Sequence, residues 1–427
     1  MGGGPAGLTA AGTAARLGAE VRLFEKMPRP GIKLSITGKG RCNLTNIAPL
    51  DDFLPHFGPN GVFLRQAFGR FFSEELVRWF EEMGVPTVTE RGGRVFPQSQ
   101  DADEIARALV RWAEGCGVRI RTGVEVQSLV MEKKEVKGVG WIPASQSASP
   151  DRVAAVRMES ADAVIVSTGG VSYPATGSTG DGYSLAKSAG HTIVEPRPAL
   201  ISLITGGSTA QRLQGLSLKN VTLSILIQKR PAAEYFGEML FTHFGISGPL
   251  VLSASQTVVD ALRAKKGVDV SIDLKPALDG DKLDARLLRD FREHGSTQAK
   301  NLLKLLLPLK MIPIALEACS IPSEKPGHQI SSEERKRLRS WLKDFRLRVT
   351  GHRPLSEAIV TAGGVRLKEI DPRTMASLLA EGLYFCGEVL DVNADTGGYN
   401  LQAAFSTGRV AGEAAAGKTS KPHIAYS

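Results

Sequence analysis

MGGGPAGLTAAGTAARLGAEVRLFE, residues 1–25, is the stretch on which the fold turns. Gly2, Gly4 and Gly7 spell G-x-G-x-x-G, an Ala-rich run follows, Gly18 closes it, and Val21 to Phe24 make a short apolar strand ending in Glu25. Each part has a reason in dinucleotide binding. Gly2 permits a tight turn, Gly4 lets the backbone approach a pyrophosphate, and Gly7 allows close helix packing. Pro5 suits a first helical position, with Ala6 behind it in the first turn. The unbonded N–H groups and positive end of that helix face the phosphates, while Glu25, with Lys26 beside it, accepts hydrogen bonds from a ribose. Only Met1 precedes Gly2, where such a fold places a buried strand of about five or six residues. This reading expects a natural product that begins earlier, with an apolar run.

Outward from that motif, 427 residues are too many for one ordinary core and predict two or three domains. Apolar content of 42% with 23% charged residues describes a soluble globular chain. The longest apolar candidate, Leu302 to Leu316, is broken by Lys304, Pro308, Lys310 and Pro313, so no membrane span is expected. No signal peptide is visible. Cys42, Cys116, Cys319 and Cys386 lie far apart without a C-x-x-C, which argues against a metal site or a disulfide framework and fits a reducing cytoplasm. The formal charge of +9 is concentrated: Arg335 to Arg353 holds eight Lys or Arg against Asp344 alone, with Trp341 and Phe345 interleaved. Such a run is either a solvated helix face or a polyanion-binding surface.

After Glu25 the chain turns into KLSITGKGRCNLTN, residues 33–46, a loop made basic by Lys33, Lys39 and Arg41, whose backbone donors and cations extend the phosphate cradle. Cys42 inside it is either a small buried hydrophobe or a thiol made acidic by its basic neighbours and able to donate a proton or attack. Residues 61–84 predict a helix with an aromatic core stripe, and Asp103 to Cys116 a further helix. Val118 to Arg121 and Val124 to Met131 read as strands, with a surface excursion near 145–151. Ala163 to Ser167 is a strand buried on both faces that empties into Thr168, Gly169 and Gly170, the place where an open α/β sheet binds its ligand.

From about Pro196 alternating segments predict a small antiparallel β domain. Residues 237–255 read as a Gly-rich loop carrying Thr242, His243 and Ser247, with His243 either structural or catalytic. Residues 279–345 read as a helical insert forming a third domain. The C-terminal EGLYFCGEVLDVNADTGGYNLQAAFSTGRVAG, residues 381–412, contains a strand from Leu383 to Cys386, an acidic turn through Asp395, and Gly397-Gly398 opening a helix with Tyr399 and Asn400. A second helix N-terminus aimed at a site stabilises negative charge there by up to about 2 kcal/mol. Two glycine-rich cradles at opposite chain ends imply one bipartite site, and FAD is its natural occupant.

GGGPAGL, TGKGRCNLTN, STGG with TGSTGDGY, LFTHFGISGP and the C-terminal motif together resemble the YhiN-type, BaiN/RdsA-like family of NAD(P)/FAD-dependent oxidoreductases along the whole chain. The resemblance implies an α/β, Rossmann-like FAD domain at residues 1–192 and 361–427, an inserted β domain at 193–276 and 346–360, and a helical subdomain at 277–345. It also implies that Gly2, Gly4, Gly7 and Glu25 hold the ADP half, that Thr37, Gly38, Arg41 and Asn43 line the cofactor's path, that Gly387 and Glu388 meet its ribityl and pyrophosphate, and that Gly398, Tyr399 and Asn400 approach the ring. Members of that family are described as amine oxidases, as steroid reductases, or as reducing a uridine of large-subunit ribosomal RNA to dihydrouridine. The basic run at 335–353 favours the RNA. In that reading NAD(P)H, bound transiently for want of a second G-x-G-x-x-G, reduces FAD, hydride adds to carbon 6 of uracil, and Cys42 or His243 protonates carbon 5. The rivals are a small-molecule oxidase or reductase and a flavin-bearing RNA-binding protein without turnover.

Overall fold

The computed structural model describes residues 1–147 and 155–419. From residue 148 onward, the excursion expected near 145–151 lies outside the described residues. The chain divides into two compact units, residues 1–198 with 355–427, and residues 199–354.

The first unit is built around helix Pro5–Arg16, whose Ala6 to Ala14 are all buried. Its small residues are needed for close packing as well as for helix propensity. A Cβ on Gly12 would lie 2.1 Å from the Trp112 ring of helix Ala102–Gly115, and Ala6 and Ala10 face Gly408 and Gly412 of the long C-terminal helix Tyr399–Thr419. Strand Arg22–Phe24 pairs in parallel with Arg119–Arg121, and Leu383–Phe385 pairs in parallel with Val164–Val166. Met1 and Gly2 tie these two pairs together. The Met1 amine donates to the Ile165 carbonyl at 2.7 Å, the Met1 carbonyl accepts from Ser167 N at 2.9 Å, and Gly2 N donates to the Phe24 carbonyl at 2.8 Å. Two residues thus occupy the lane in which the sequence reading expects a strand.

Around this core lie two antiparallel three-stranded sheets. One takes the order Thr45–Asn46, Arg94–Pro97, Thr87–Glu90; the other is the meander Val124–Glu132, Glu135–Pro143, Arg157–Ser160. The helix expected over 61–84 is two helices, Gly61–Phe68 and Ser73–Glu82. The break falls where the Phe71 carbonyl leaves the helix and accepts instead from Ser406 Oγ at 2.6 Å and Gln402 Nε2 at 3.3 Å. Both side chains are fully buried, so a carbonyl that would otherwise be orphaned in the core is bonded by the C-terminal helix. The aromatic stripe is core: Phe68, Phe71, Trp79 and Phe80 are buried.

His191 shows how this unit treats a buried ionisable group. Its ring bonds Glu369 at 3.2 Å and Ser377 at 2.8 Å, and burial lowers its pKa against the opposing pull of Glu369. The folded state therefore takes up this proton at a lower pH than the unfolded chain, whose histidine protonates at about pH 6.5. Its contribution to stability is present above that value and is lost as pH falls below it. We expect His191→Asn to remove this part of the acid sensitivity, read as a smaller shift of the urea midpoint between neutral pH and about pH 5.

The second unit is a closed six-stranded barrel in the order Leu203–Thr205, Gly245–Ser247, Arg230–Phe241, Ser217–Ile227, Val268–Asp273, Phe345–His352. The stretch expected as a Gly-rich loop at 237–255 is a tight turn between two barrel strands followed by helix Pro249–Arg263. Pro249 stands in the first helical turn, where its missing N–H costs nothing. The helical section expected as a third domain has no separate core. Leu283, Leu287, Phe291, Leu302, Leu338 and Leu342 pack in one cluster with barrel residues Leu223, Phe241 and Val270.

Candidate functional site

Two of the three motif glycines at the chain start, Gly2 and Gly7, are held by specific contacts. Gly2 has φ +95°, where a side chain is strained, and a Cβ there would lie 2.4 Å from the Ser167 carbonyl oxygen. A Cβ on Gly7 would lie 1.9 Å from the Gly2 oxygen, so helix and turn touch through backbone. Gly4 differs: a Cβ there meets nothing within 4 Å, and Gly4 caps helix Pro5–Arg16 without any side-chain hydrogen bond. The first-turn N–H groups and the open space beside Gly4 form a ready anion site. Glu25 closes one side. Its carboxylate is buried and accepts from Gly3 N at 2.6 Å and Met27 N at 2.8 Å. Lys26 turns away from the glycines to pair with Asp181 at 2.6 Å and to bond Thr179.

The C-terminal helix, where a second cradle is expected, packs against the opening helix. A Cβ on Gly408 would meet the Ala6 oxygen at 2.4 Å, and one on Gly412 the Ala10 oxygen at 2.4 Å, so the two helices run parallel in matched register. Tyr399, which opens this helix, stands nine residues before Gly408. At about 1.5 Å rise per residue its N-terminus projects roughly 13 Å beyond the level of Ala6. Two positive helix ends therefore point the same way, staggered along one line. Gly387 sits between them with φ +75°, donates its N–H to Thr407 Oγ1 at 3.0 Å, and would meet the Ala6 side chain at 2.8 Å if it carried a Cβ.

The loop residues expected along this line sort into two groups. Lys33 pairs with Glu388 at 2.6 Å and donates to Ser172 at 2.7 Å, while Glu388 also accepts from Thr361 N at 2.8 Å. Arg41 lies over the Phe96 ring at 4.2 Å and pairs with Glu90 and Gln100, which ties its guanidinium to the antiparallel sheet. Asn400 bonds the backbone of Ala394 and Asp395 and braces that turn. Thr37 caps its own loop through the Leu34 carbonyl at 2.7 Å, with Gly38 beside it at φ +58°. Gly169 has φ +74°, and a Cβ on Gly170 would strike Thr361. Gly398, at φ +98°, lies against the Thr45 carbonyl, and Gly397 against the Tyr399 ring.

Among these residues the buried Asn43 Oδ1 and Thr168 Oγ1 have no hydrogen-bond partner. A buried polar atom left so costs about 1–3 kcal/mol, which a ligand rich in donors recovers. The unpartnered oxygens, the open space at Gly4 and the two staggered helix ends fit FAD. Among the described residues no group of three His, Cys, Asp or Glu side chains could hold a metal, and no helix is long and apolar enough to cross a membrane.

The two expected proton donors fare differently. Cys42 is fully buried at φ +58°, and burial pushes its thiol up to about 12 despite a hydrogen bond with Thr37. Of the two readings of Cys42, the acidic thiol is thus corrected to the small buried hydrophobe, because Arg41 faces Glu90 and desolvation prevails. His243 lies exposed in the barrel turn, edge-on to Phe244 at 4.9 Å. The sequence reading passed over His56. Its Nδ1 lies 3.0 Å from Asp395 Oδ2 and its ring stacks on Tyr399 at 3.9 Å, 19° from parallel. A single His in LPHFGPN, residues 54–60, carried no signal that separated it from His243.

The basic run is mostly paired within its own unit. Arg335 and Arg339 reach Asp284 at 3.1 and 3.7 Å, Lys343 reaches Asp273 at 2.5 Å, Arg346 reaches Asp344 at 2.8 Å, and Arg337 donates to the Cys319 carbonyl at 2.8 Å. Trp341 and Phe345 pack into or against the barrel core.

Residues 1–414 match the family described as HI0933-like protein Rossmann domain. The chain is 33% identical over 418 residues to the 3-dehydro-bile acid delta(4,6)-reductase of Clostridium scindens, covering 97% of this chain and 98% of that protein. It is 29% identical over 409 residues to the ribosomal RNA dihydrouridine synthase of Haemophilus influenzae, covering 95% of each. Among solved structures it resembles the 3-ketosteroid delta1-dehydrogenase of Sterolibacterium denitrificans, with a TM-score of 0.50, 13% identity, and 97% of this chain and 98% of that one covered. At that identity the likeness speaks to fold alone.

Proposed function

This chain belongs to the HI0933-like family of FAD-dependent oxidoreductases, and from that premise we propose that it reduces a carbon–carbon double bond conjugated to a carbonyl. The observation that carries the reading is the pair of parallel, glycine-opened helices whose ends are staggered by roughly 12 Å, with unpartnered buried oxygens at Asn43 and Thr168 in the loops beside them. When bound, FAD supplies the hydride, with NAD(P)H as its transient reductant. The chain's residues do the rest. First-turn N–H groups behind Gly4 bind the pyrophosphate, Glu25 takes the ribose, Lys33 neutralises Glu388 beside the path, and Tyr399 closes the far end.

The bond class is what the two curated relatives have in common, since a bile-acid dienone and a uracil both place a C=C in conjugation with a carbonyl. The small-dienone reading is supported by the 33% relative and by the basic run's internal pairing. Reduction of a ribosomal RNA uridine is supported by the formal charge of +9 and by the 29% relative. One experiment tests both. The flavin is reduced with NAD(P)H without oxygen, and its reoxidation is followed with a steroid 4,6-dien-3-one and with a uridine-containing large-subunit RNA fragment. Reoxidation by either with saturation of the double bond is the expected result. Failure of both, with rapid reduction of the oxidised flavin by a primary amine and rapid reoxidation by oxygen, overturns the proposal in favour of an oxidase. Loss of a ribosomal dihydrouridine on deleting the gene would select the RNA.

A further inference from the structure

A reductase of this kind needs an acid as well as a hydride. We propose that His56 is that acid, held in place by Asp395, an inference that rests on the reductase reading. The geometry is that of an oriented general acid. Asp395 Oδ2 accepts from Nδ1 at 3.0 Å, which fixes the ring's rotation and leaves Nε2 as the outward donor. The ring face is stacked on Tyr399, the residue that opens the C-terminal helix after Gly397-Gly398. The histidine thus stands where the second cradle begins, at the end of the line farthest from Gly4.

Both partners are anchored. Asp395 N donates to the His56 carbonyl at 3.3 Å, the Asn400 amide holds the Ala394 and Asp395 backbone, and the Asn60 amide donates to the Asp391 carbonyl at 2.7 Å. Two turns from distant parts of the chain are therefore locked to each other around the imidazole. The ring itself is 35% exposed, so it can exchange protons with solvent between turnovers. Other titratable groups of this unit are unsuited. Cys42 is buried with its thiol raised, Tyr183 is buried with its phenol raised, and His191 is enclosed between Glu369 and Ser377. Asp391, whose carboxyl is raised by burial, is the rival donor. Among the described residues the charged or titratable groups in contact with His56 are Asp395 and Tyr399.

The step balances. Hydride from the reduced cofactor forms a C–H bond at the electrophilic carbon of the conjugated system, the π electron pair shifts toward the carbonyl, and Nε2–H of the imidazolium delivers its proton to the carbon α to that carbonyl. The double bond becomes a single bond, the cofactor is oxidised by two electrons, and His56 is left neutral until solvent reprotonates it.

The test uses His56→Gln in the flavin-loaded protein. Reduction of the flavin by NAD(P)H is expected to be unchanged, while anaerobic reoxidation by the double-bond substrate slows on the order of 100-fold. The wild-type reoxidation rate is expected to fall with rising pH as the proton donor is lost, and the variant's profile to stay flat over the same range. A second readout needs no turnover. In ring-nitrogen NMR of the apoprotein, the signal absent from His56→Gln is expected to show Nδ1 protonated in the neutral form, and Asp395→Asn is expected to move the tautomer balance toward Nε2. Equal reoxidation rates in wild type and His56→Gln, or loss with Asp391→Asn instead, overturn the proposal. Wild-type protein that reduces neither test substrate overturns both the reductase reading and this acid, whereas turnover untouched by His56→Gln overturns the acid alone.

Discussion

Gly7→Ala is expected to strip the protein of flavin and to destabilise it, whereas Gly4→Ala is expected to strip the flavin while leaving the apoprotein as stable as before. The two positions belong to the same motif and differ in what a methyl group would meet. At Gly7 it would lie 1.9 Å from the Gly2 oxygen and 2.5 Å from Ser167 Oγ, so the turn and the helix must part. Overpacking of this kind costs about 1–3 kcal/mol. The gain of about 0.5–1 kcal/mol from replacing a helical glycine does not offset it. At Gly4, with φ −79° and nothing within 4 Å, the methyl group is harmless to the fold. It instead fills the space in which a pyrophosphate would approach the helix end. A loss of only about 1.4 kcal/mol of binding there is a tenfold fall in affinity. The flavin-to-protein absorbance ratio after dialysis, set beside the thermal midpoint of the apoprotein, separates the two effects. A Gly4→Ala protein that retains full flavin would remove Gly4 from the cradle.

The opening turn and helix were legible because their glycines have backbone reasons that spacing alone carries, and the helix start after Gly397-Gly398 was legible for the same cause. Short strands such as Val164–Val166 and Leu383–Phe385 could be read because both faces are buried, which leaves an unbroken apolar run. What stayed hidden depended on partners distant in the chain. The helix break at Phe71 is set by Gln402 and Ser406, more than three hundred residues away. The helix at Pro249–Arg263 begins inside a stretch that Gly237, Gly245 and Gly248 mark as a loop. Cys42 looked acidic because Lys39 and Arg41 adjoin it in sequence, yet Arg41 is directed to Glu90 and the thiol is buried. The basic run looked like a surface for phosphates because its counter-charges, Asp273 and Asp284, lie about fifty to seventy residues earlier. His56 gained its meaning only from Asp395, on the far side of the chain. Backbone-driven features could thus be read locally, while the ionisation state and direction of each polar side chain required the fold.

The stagger between the two helix ends depends on the contact that sets their register, and this gives the second large effect. Gly408 and Gly412 lie one turn apart on the C-terminal helix, and each faces a carbonyl of the opening helix at a distance no side chain tolerates, 2.4 Å to a built Cβ. Small residues here let the backbones approach, so the two positive ends are fixed in both separation and register. Gly408→Ala with Gly412→Ala is therefore expected to wedge the helices apart, at about 1–3 kcal/mol for each site. Because neighbouring sites share one displacement, the pair should cost less than the sum. Gly417 in the same helix is the internal control: a Cβ there meets nothing within 4 Å, so Gly417→Ala should stabilise by about 0.5–1 kcal/mol. Denaturant midpoints of the three proteins measure this directly. Flavin retention should follow the wedge rather than the propensity change, lost in the double variant and kept in Gly417→Ala. If the double variant holds its flavin as tightly as wild type, helix register does not set the cofactor's geometry, and the loops at Asn43 and Thr168 must carry it alone.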